Sequence, residues 1–165
     1  MNKLKIIFVC TGNICRSPLA EGVFLNRIAQ LGIGHQFEVD SCGTSSYHVG
    51  SLPDHRAMLT AHQHSIQLGS RARQISNFDL EYYDFILVMD HLNYEDVLSN
   101  VTEDSIKNKI FLLRSFDPAT SLEYDVPDPY YGTIDDFEEV FIICERSING
   151  FVDYLINQKL INPIE

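Results

Sequence analysis

Four short segments along the 165-residue chain predict β-strands, and the continuous apolar runs among them predict buried ones. The strongest is Phe-Ile-Leu-Val-Met at residues 85–89, which has no polar member. A second continuous apolar run ends at residue 9 and is followed at once by a glycine-containing loop. The four predicted strands span residues 5–9, 37–41, 85–89 and 109–113.

Segments with helical periodicity lie between these strands and after the last one. Residues 19–31 carry apolar side chains at spacings near 3.6, with Ser17 as a suitable cap, Pro18 as the first helical residue and an end at Gly32 or Gly34. Residues 54–64 and 91–99 also read as helical. A long closing helix is predicted by apolar residues that alternate spacings of four and three: Phe137, Phe141, Cys144, Ile148, Phe151 and Leu155.

The alternation of strands and helices predicts the fold class. It favours a single α/β domain over residues 1–165, with a four-stranded parallel sheet and helices on both faces. In such sheets ligands bind beyond the carboxyl ends of the strands. The loop after the first strand and the proline-containing connection 114–132 are expected at that edge.

Net charge, apolar segment length and cysteine count limit the partners and the location that we expect for the protein. The formal net charge of −11 argues against nucleic acid, because binding to a phosphate backbone needs a basic face. No apolar segment approaches the length that spans a bilayer, so we expect no membrane association and a cytoplasmic location. The expected oligomeric state is a monomer. The four cysteines are too few for a disulfide scaffold, and reduced thiols fit that compartment.

The loop between the first strand and the first helix has the features of a phosphate-binding site. Successive backbone N–H groups and the positive end of a helix dipole can surround a phosphate dianion there. Arg16 adds a planar fork for two phosphoryl oxygens. Cys10 at the base of this cradle is expected to be a thiolate at neutral pH and a nucleophile toward phosphorus. The candidate phosphate-binding residues are Thr11, Gly12, Asn13, Ile14, Cys15, Arg16 and Ser17.

The segment 9–18 resembles the active-site signature of low-molecular-weight protein tyrosine phosphatases. A second block, Val-Pro-Asp-Pro-Tyr-Tyr-Gly at 126–132, is similar to the general-acid loop of that family, and its Val-Pro start looks like that of bacterial members. Weaker similarities lie at 40–44, 72–75 and 85–90. The resemblance therefore covers nearly the whole chain.

The resemblance implies an enzyme that hydrolyses phosphotyrosine and aryl phosphate monoesters through a phosphocysteine intermediate. Cys10 would be the nucleophile and Arg16 the phosphate clamp. Asp128 would be the general acid that protonates the departing phenolate and then the base that activates water. The partner would be a phosphotyrosine-containing protein, and no metal or cofactor is needed.

The resemblance also implies supporting and substrate-binding residues. Ser17 would donate a hydrogen bond to the Cys10 thiolate, and Asn13 would hold the loop with Ser41 as its partner. A histidine often joins this network in the family, and Ser70 aligns with that position. The cleft walls would be Tyr47, His48, Tyr130 and Tyr131.

Two further cysteines are open to interpretation. Cys15 either forms a disulfide that protects the nucleophile, as in the family, or is a small buried side chain. Cys42 stands where alanine is common and is interpreted as a packing residue.

Four alternative functions fit the sequence less well. An arsenate reductase of the same fold needs two more cysteines near the third strand, and residues 80–92 contain none. A protein-arginine phosphatase typically has threonine at the position of Ile14. A non-catalytic phosphate-binding module would lose the acid, whereas Cys10 and Asp128 are both present. A P-loop nucleotide hydrolase is excluded because the first loop has no lysine.

Overall fold

A four-stranded parallel sheet lies at the centre of the computed structural model, which describes residues 2–163. Its strands are β1 (Leu4–Cys10), β2 (Phe37–Gly43), β3 (Phe85–Val88) and β4 (Ile110–Leu112). They lie in the order β2-β1-β3-β4, and every neighbouring pair is parallel. The predicted α/β class and four-stranded parallel sheet are confirmed.

Six helices connect and cover the strands. They are α1 (Arg16–Gln30), α2 (His55–Gln63), α3 (Asn77–Tyr82), α4 (His91–Leu98), α5 (Asp104–Lys107) and α6 (Ile134–Asn157), with 3₁₀ turns at Gly34–Gln36 and Leu113–Phe116. Sequence periodicity did not reveal α3 and α5, because helices of six and four residues are too short to show it. Within residues 2–163, no helix has the length and apolar character needed to cross a membrane.

Alternate residues of the strands point to opposite faces of the sheet, and each face has its own core. One core contains Phe8 and Leu87 from the sheet and apolar residues of α1, α2 and α6. The other contains Val9 and Val88 with apolar residues of α3, α4 and α5. The prediction of helices on both faces is therefore confirmed, and β1 is fixed from both sides up to Cys10.

The first helix begins earlier than predicted. Its capping position is Cys15, which provides no side-chain cap hydrogen bond. The prediction that Ser17 caps this helix is wrong, because its hydroxyl turns inward toward Cys10 instead. The first-turn N–H groups consequently have no side-chain acceptor at the cap, which suits an anion-binding helix end.

The same helix ends close to the predicted glycine. Gly32 adopts a φ of 68°, and the Ile33 N–H donates to the Ile28 carbonyl at 2.9 Å. This is the turn that a glycine after the last helical residue permits. The chain then returns to the sheet as β2, adjacent to β1.

Candidate active site

Cys10 is the last residue of β1, and its side chain is almost fully buried at the carboxyl edge of the sheet. The backbone N–H of Asn13 donates to Cys10 Sγ at 3.2 Å. The Ser17 hydroxyl oxygen lies 3.0 Å from the same sulfur. Two polar groups of the following loop thus converge on the sulfur atom.

The loop after Cys10 is held in a left-handed turn by Asn13, whose φ is 56°. The Asn13 amide donates to Ser17 Oγ at 2.8 Å and to Ser41 Oγ at 3.0 Å. Its carbonyl oxygen accepts from the Arg73 backbone N–H at 3.0 Å. The structure thus brings together the three predicted supporting residues. Both amide hydrogens and the side-chain oxygen of Asn13 are therefore hydrogen-bonded. Ser70, which stands where family members often have a histidine, takes no part in these hydrogen bonds.

Gly43 allows the second strand to run directly beneath this loop. A Cβ atom at residue 43 would lie 2.6 Å from the Thr11 carbonyl oxygen and 3.1 Å from the Asn13 nitrogen. Both contacts are to backbone atoms, so a side chain could be accommodated only if the loop moved. The loop shape therefore depends on the absence of a side chain at this point.

Arg16 is buried with its guanidinium directed toward the loop. Its Nη1 donates to Asp90 Oδ2 at 2.6 Å and to the Val126 carbonyl at 3.0 Å. Burial opposes the charge, but the Cys10 thiolate and Asp90 together raise the pKa of the Arg16 guanidinium above its ordinary value. The group is thus a fixed cation, positioned by two acceptors away from the cavity.

Asp128 lies on the connection after β4, at the opposite side of the loop. Its carboxylate is half exposed, 3.6 Å from Arg16 Nη2, and accepts from the Tyr130 backbone N–H at 3.1 Å. The connection is bound to the sheet edge just before Asp128, where the Val126 N–H donates to the Met89 carbonyl at 2.7 Å. The Asp128 carboxyl group is therefore placed beside the phosphate-binding loop, although Asp128 lies 118 residues after Cys10 in the chain.

These residues surround one cavity of about 260 Å³ at the carboxyl edge of the sheet. Tyr47, His48, Tyr130 and Tyr131 all line it, and the ring centroids of His48 and Tyr130 are 6.0 Å apart. The lining residues are Cys10, Thr11, Gly12, Ile14, Cys15, Arg16, Ser45, Tyr47, His48, Asp128, Tyr130 and Tyr131. Of the predicted site residues, only Asn13, Ser17 and Ser41 lie behind the cavity wall. Ser45 was not predicted to line it.

The low-molecular-weight phosphotyrosine protein phosphatase family model matches residues 5–160, almost the entire described chain. The chain belongs to this family. The prediction that the protein is an enzyme of the phosphotyrosine phosphatase class is thereby confirmed.

Individual relatives of the phosphatase come from distant organisms. A human low-molecular-weight phosphotyrosine protein phosphatase is 40% identical over 90% of this chain and 93% of its own length. A low-molecular-weight protein-tyrosine-phosphatase of Streptomyces coelicolor is also 40% identical, over 90% of this chain and 91% of its own. The crystal structure of a protein tyrosine phosphatase from Entamoeba histolytica superposes with a TM-score of 0.90 at 34% identity, covering 95% of this chain and 99% of that one.

The other thiols of the phosphatase differ from Cys10 in their surroundings. Burial, reinforced by the charge of Asp54, raises the pKa of the Cys15 thiol well above its ordinary value. Burial likewise raises the pKa of Cys42 and brings that of Cys144 to about 12. All four cysteines are free, and Cys42 is buried in the core as predicted for a packing residue. Among residues 2–163, no three or more Cys, His, Asp or Glu side chains are arranged to hold a metal ion.

Several residues that shape the site were not singled out from the sequence. Asp90 binds Arg16, the Arg73 backbone binds Asn13, and Glu21 accepts from Ser41. Asp90 gave one usable signal, since it is a carboxylate that directly follows a buried strand at the ligand-binding edge. Glu21 gave none, because a glutamate in the middle of an amphipathic helix reads as a solvent-facing residue.

Proposed function

We propose that this phosphatase, as one domain over residues 1–165, hydrolyses protein phosphotyrosine and aryl phosphate monoesters through a phosphocysteine intermediate on Cys10. The observation that carries the proposal is the convergence of Cys10, Arg16 and Asp128 on a single cavity. A nucleophile, a fixed cation and a proton donor are the three groups that this reaction requires.

In the first step the Cys10 thiolate attacks phosphorus, and the bond from phosphorus to the tyrosine oxygen breaks. Asp128 gives its proton to the departing phenolate, so tyrosine leaves as a neutral phenol. The Arg16 guanidinium and the N–H groups of residues 11–17 bind the equatorial oxygens, where charge is spread in the transition state. The hydroxyl of Ser17, 3.0 Å from the sulfur, stabilises the thiolate before attack.

In the second step a water molecule attacks the phosphorus of the phosphocysteine. Asp128, now ionised, takes the proton of that water, and the sulfur–phosphorus bond breaks. Inorganic phosphate is released and the Cys10 thiolate is restored. Asp128 therefore acts in both directions, which suits its half-exposed position beside the cavity mouth.

The cavity walls support selection of an aryl substrate. His48 and Tyr130 line the cavity with their rings in contact, and the rings of Tyr47 and Tyr131, which line it too, are exposed. A phenyl ring can pack against these aromatic side chains while its phosphate reaches the loop. The shorter side chain of phosphoserine would make fewer of these contacts, and so phosphotyrosine is preferred.

Local donors offset the net charge of −11, which by itself would repel a phosphorylated protein. Arg16 is a buried cation, and the unfilled N–H groups at the start of α1 add a partial positive charge. The proposed partner is a phosphotyrosine-containing protein. Cytoplasmic location and a monomeric state remain predictions from composition.

The test is hydrolysis of p-nitrophenyl phosphate and of a phosphotyrosyl peptide in EDTA, under reducing conditions. Cys10→Ser should abolish turnover, whereas the core variant Cys144→Ala should retain it. Asp128→Ala should slow hydrolysis of the peptide more than hydrolysis of the nitrophenyl ester, because the nitrophenolate leaving group needs less protonation. The control is Asp135→Ala, which removes an exposed acid of α6. Turnover in Cys10→Ser would overturn the proposal, and faster hydrolysis of phosphoarginine would assign the enzyme to that alternative substrate.

A further inference from the structure

A largely buried carboxylate of α1 lies behind the phosphate-binding loop and has no part in the steps described above. The Ser41 hydroxyl donates to Glu21 Oε2 at 2.6 Å. Ser41 itself is 1% exposed, so solvent cannot replace this acceptor. Glu21 is therefore the partner that receives the only proton of a buried hydroxyl.

Ser41 connects Glu21 to the nucleophile through three further contacts. Asn13 Nδ2 donates to Ser41 Oγ at 3.0 Å and to Ser17 Oγ at 2.8 Å. Ser17 Oγ lies 3.0 Å from Cys10 Sγ. The carboxylate of Glu21 and the sulfur of Cys10 are thus the two ends of one continuous series of hydrogen bonds.

The Arg73 N–H, which donates to Asn13 Oδ1 at 3.0 Å, fixes the direction of the Asn13 amide, and Glu21 fixes that of the Ser41 hydroxyl. Asn13 therefore donates one amide hydrogen to Ser41 and the other to Ser17, and Ser17 has its own proton to give. That proton can go to Cys10 Sγ at 3.0 Å or to the Cys42 carbonyl at 3.4 Å, and the shorter contact favours the sulfur.

We propose that Glu21 is a positioning residue for the nucleophile: by accepting the Ser41 proton it holds Ser41 as the acceptor of the Asn13 amide, and so keeps Asn13 and Ser17 where the Ser17 hydroxyl donates to the Cys10 thiolate. The inference rests on the proposed role of Cys10 as nucleophile. An acceptor at residue 21 is the essential property, and the charge on it is not.

The charged groups around Glu21 are consistent with this assignment. Asp40 on β2 and Arg73 on the segment before α3 face the carboxyl group with opposite charges, and Arg71 lines the same shallow cleft. Burial raises the pKa of Glu21 to about 7. Ionised or protonated, the group keeps an oxygen that can accept from Ser41, so this hydrogen bond does not require the charge.

The test measures the ionisation of Cys10 directly, as the rate of its alkylation by iodoacetate between pH 5 and pH 9. The peptide containing Cys10 is quantified by mass spectrometry in wild type, Glu21→Leu and Glu21→Gln. Leu removes the acceptor, and alkylation near neutral pH should slow by about three- to tenfold, with a midpoint at higher pH. Gln keeps an acceptor oxygen without the charge, and its profile should follow that of the wild type.

A double substitution separates the hydrogen-bond series from general damage to the fold. In a Ser41→Ala background, Glu21→Leu should cause no further change in the alkylation profile, because the connection is already broken. Glu21→Met replaces the Leu variant if that one does not fold, as judged by circular dichroism. Alkylation in Leu or Met equal to wild type would overturn the inference, and so would a Gln variant as slow as Leu.

The proposed function fails by a different result. An inactive, fully reduced wild-type enzyme would refute the cysteine phosphatase mechanism whatever the alkylation profiles show. An active wild type with an unchanged Glu21→Leu profile would refute only the role of Glu21.

Discussion

Substitution of Asp90 should separate the orientation of Arg16 from the stability of the fold. Asp90 Oδ2 accepts from the Arg16 guanidinium at 2.6 Å, and Oδ1 caps α4 by accepting from the Asn93 N–H at 2.7 Å. Arg16 is 2% exposed, so its charge has no access to water once the carboxylate is gone. Asp90→Ala removes both functions at once.

The two losses have different expected magnitudes. Breaking a buried ion pair from one side costs about 3–5 kcal/mol, because the remaining charge is left uncompensated. Loss of the α4 cap adds about 1 kcal/mol. The Val126 carbonyl still binds Arg16 and Asp90 is not fully buried, so we expect a total near the lower end, about 4 kcal/mol.

The catalytic effect follows from geometry. Without Asp90 the guanidinium has one fewer acceptor to hold its plane parallel to the phosphate oxygens, and misplacement of a binding group by about 1 Å can cost about 100-fold in rate. We therefore expect kcat/KM for p-nitrophenyl phosphate to fall about 100-fold, while urea denaturation reports the loss in free energy of unfolding.

Asp117 provides a matched control. It is a buried carboxylate that binds Arg146 at 3.0 Å and does not line the active-site cavity. Asp117→Ala should lower the free energy of unfolding and leave kcat/KM near that of the wild type. If Asp90→Ala loses stability but keeps full activity, the orientation of Arg16 does not depend on this pair and the reasoning is refuted.

Three further predictions concern the loop, the thiols and pH. Gly43→Ala should impair phosphate binding, measured by competition against p-nitrophenyl phosphate, because its Cβ would meet the Thr11 carbonyl oxygen at 2.6 Å; an unchanged inhibition constant would contradict this. If Cys15 protects Cys10, peroxide inactivation should be reversed by dithiothreitol in the wild type but not in Cys15→Ser; full recovery in both would favour the purely structural role of Cys15. Burial raises the pKa of Glu21 from 4.5 to about 7, so the folded protein holds a proton that the unfolded chain has released, and stability falls as pH rises through this range. Urea denaturation should accordingly show Glu21→Gln gaining about 3 kcal/mol relative to wild type between pH 4.5 and pH 8, and an equal difference at both pH values would refute it.

The sheet and its ligand-binding edge were predictable because their signals are local. Apolar runs such as residues 85–89 can only be buried, and a strand followed by a glycine-containing loop and a helix is a recognisable unit. The long helix α6 was visible for the same reason, since its buried residues repeat over many turns.

The connections between distant segments were not predictable from periodicity. Asp128 reads as an ordinary turn residue between two prolines, and only the family resemblance singled it out. The capping role assigned to Ser17 was wrong because a serine before proline has the same local signature whether its hydroxyl caps the helix or turns toward Cys10. Glu21 could not be identified because its role depends on β2, which brings Ser41 against α1.

The most direct test of the central claim is isolation of the phosphocysteine. Asp128→Ala, which lacks the base for the second step, is mixed with p-nitrophenyl phosphate and quenched in acid within the first turnovers, and its peptides are analysed by mass spectrometry. The proposed mechanism predicts one added phosphoryl group on the peptide that contains Cys10, absent when Cys10 is also replaced by serine or alkylated beforehand. A phosphoryl group on another residue, or turnover with none at any time after mixing, would contradict it.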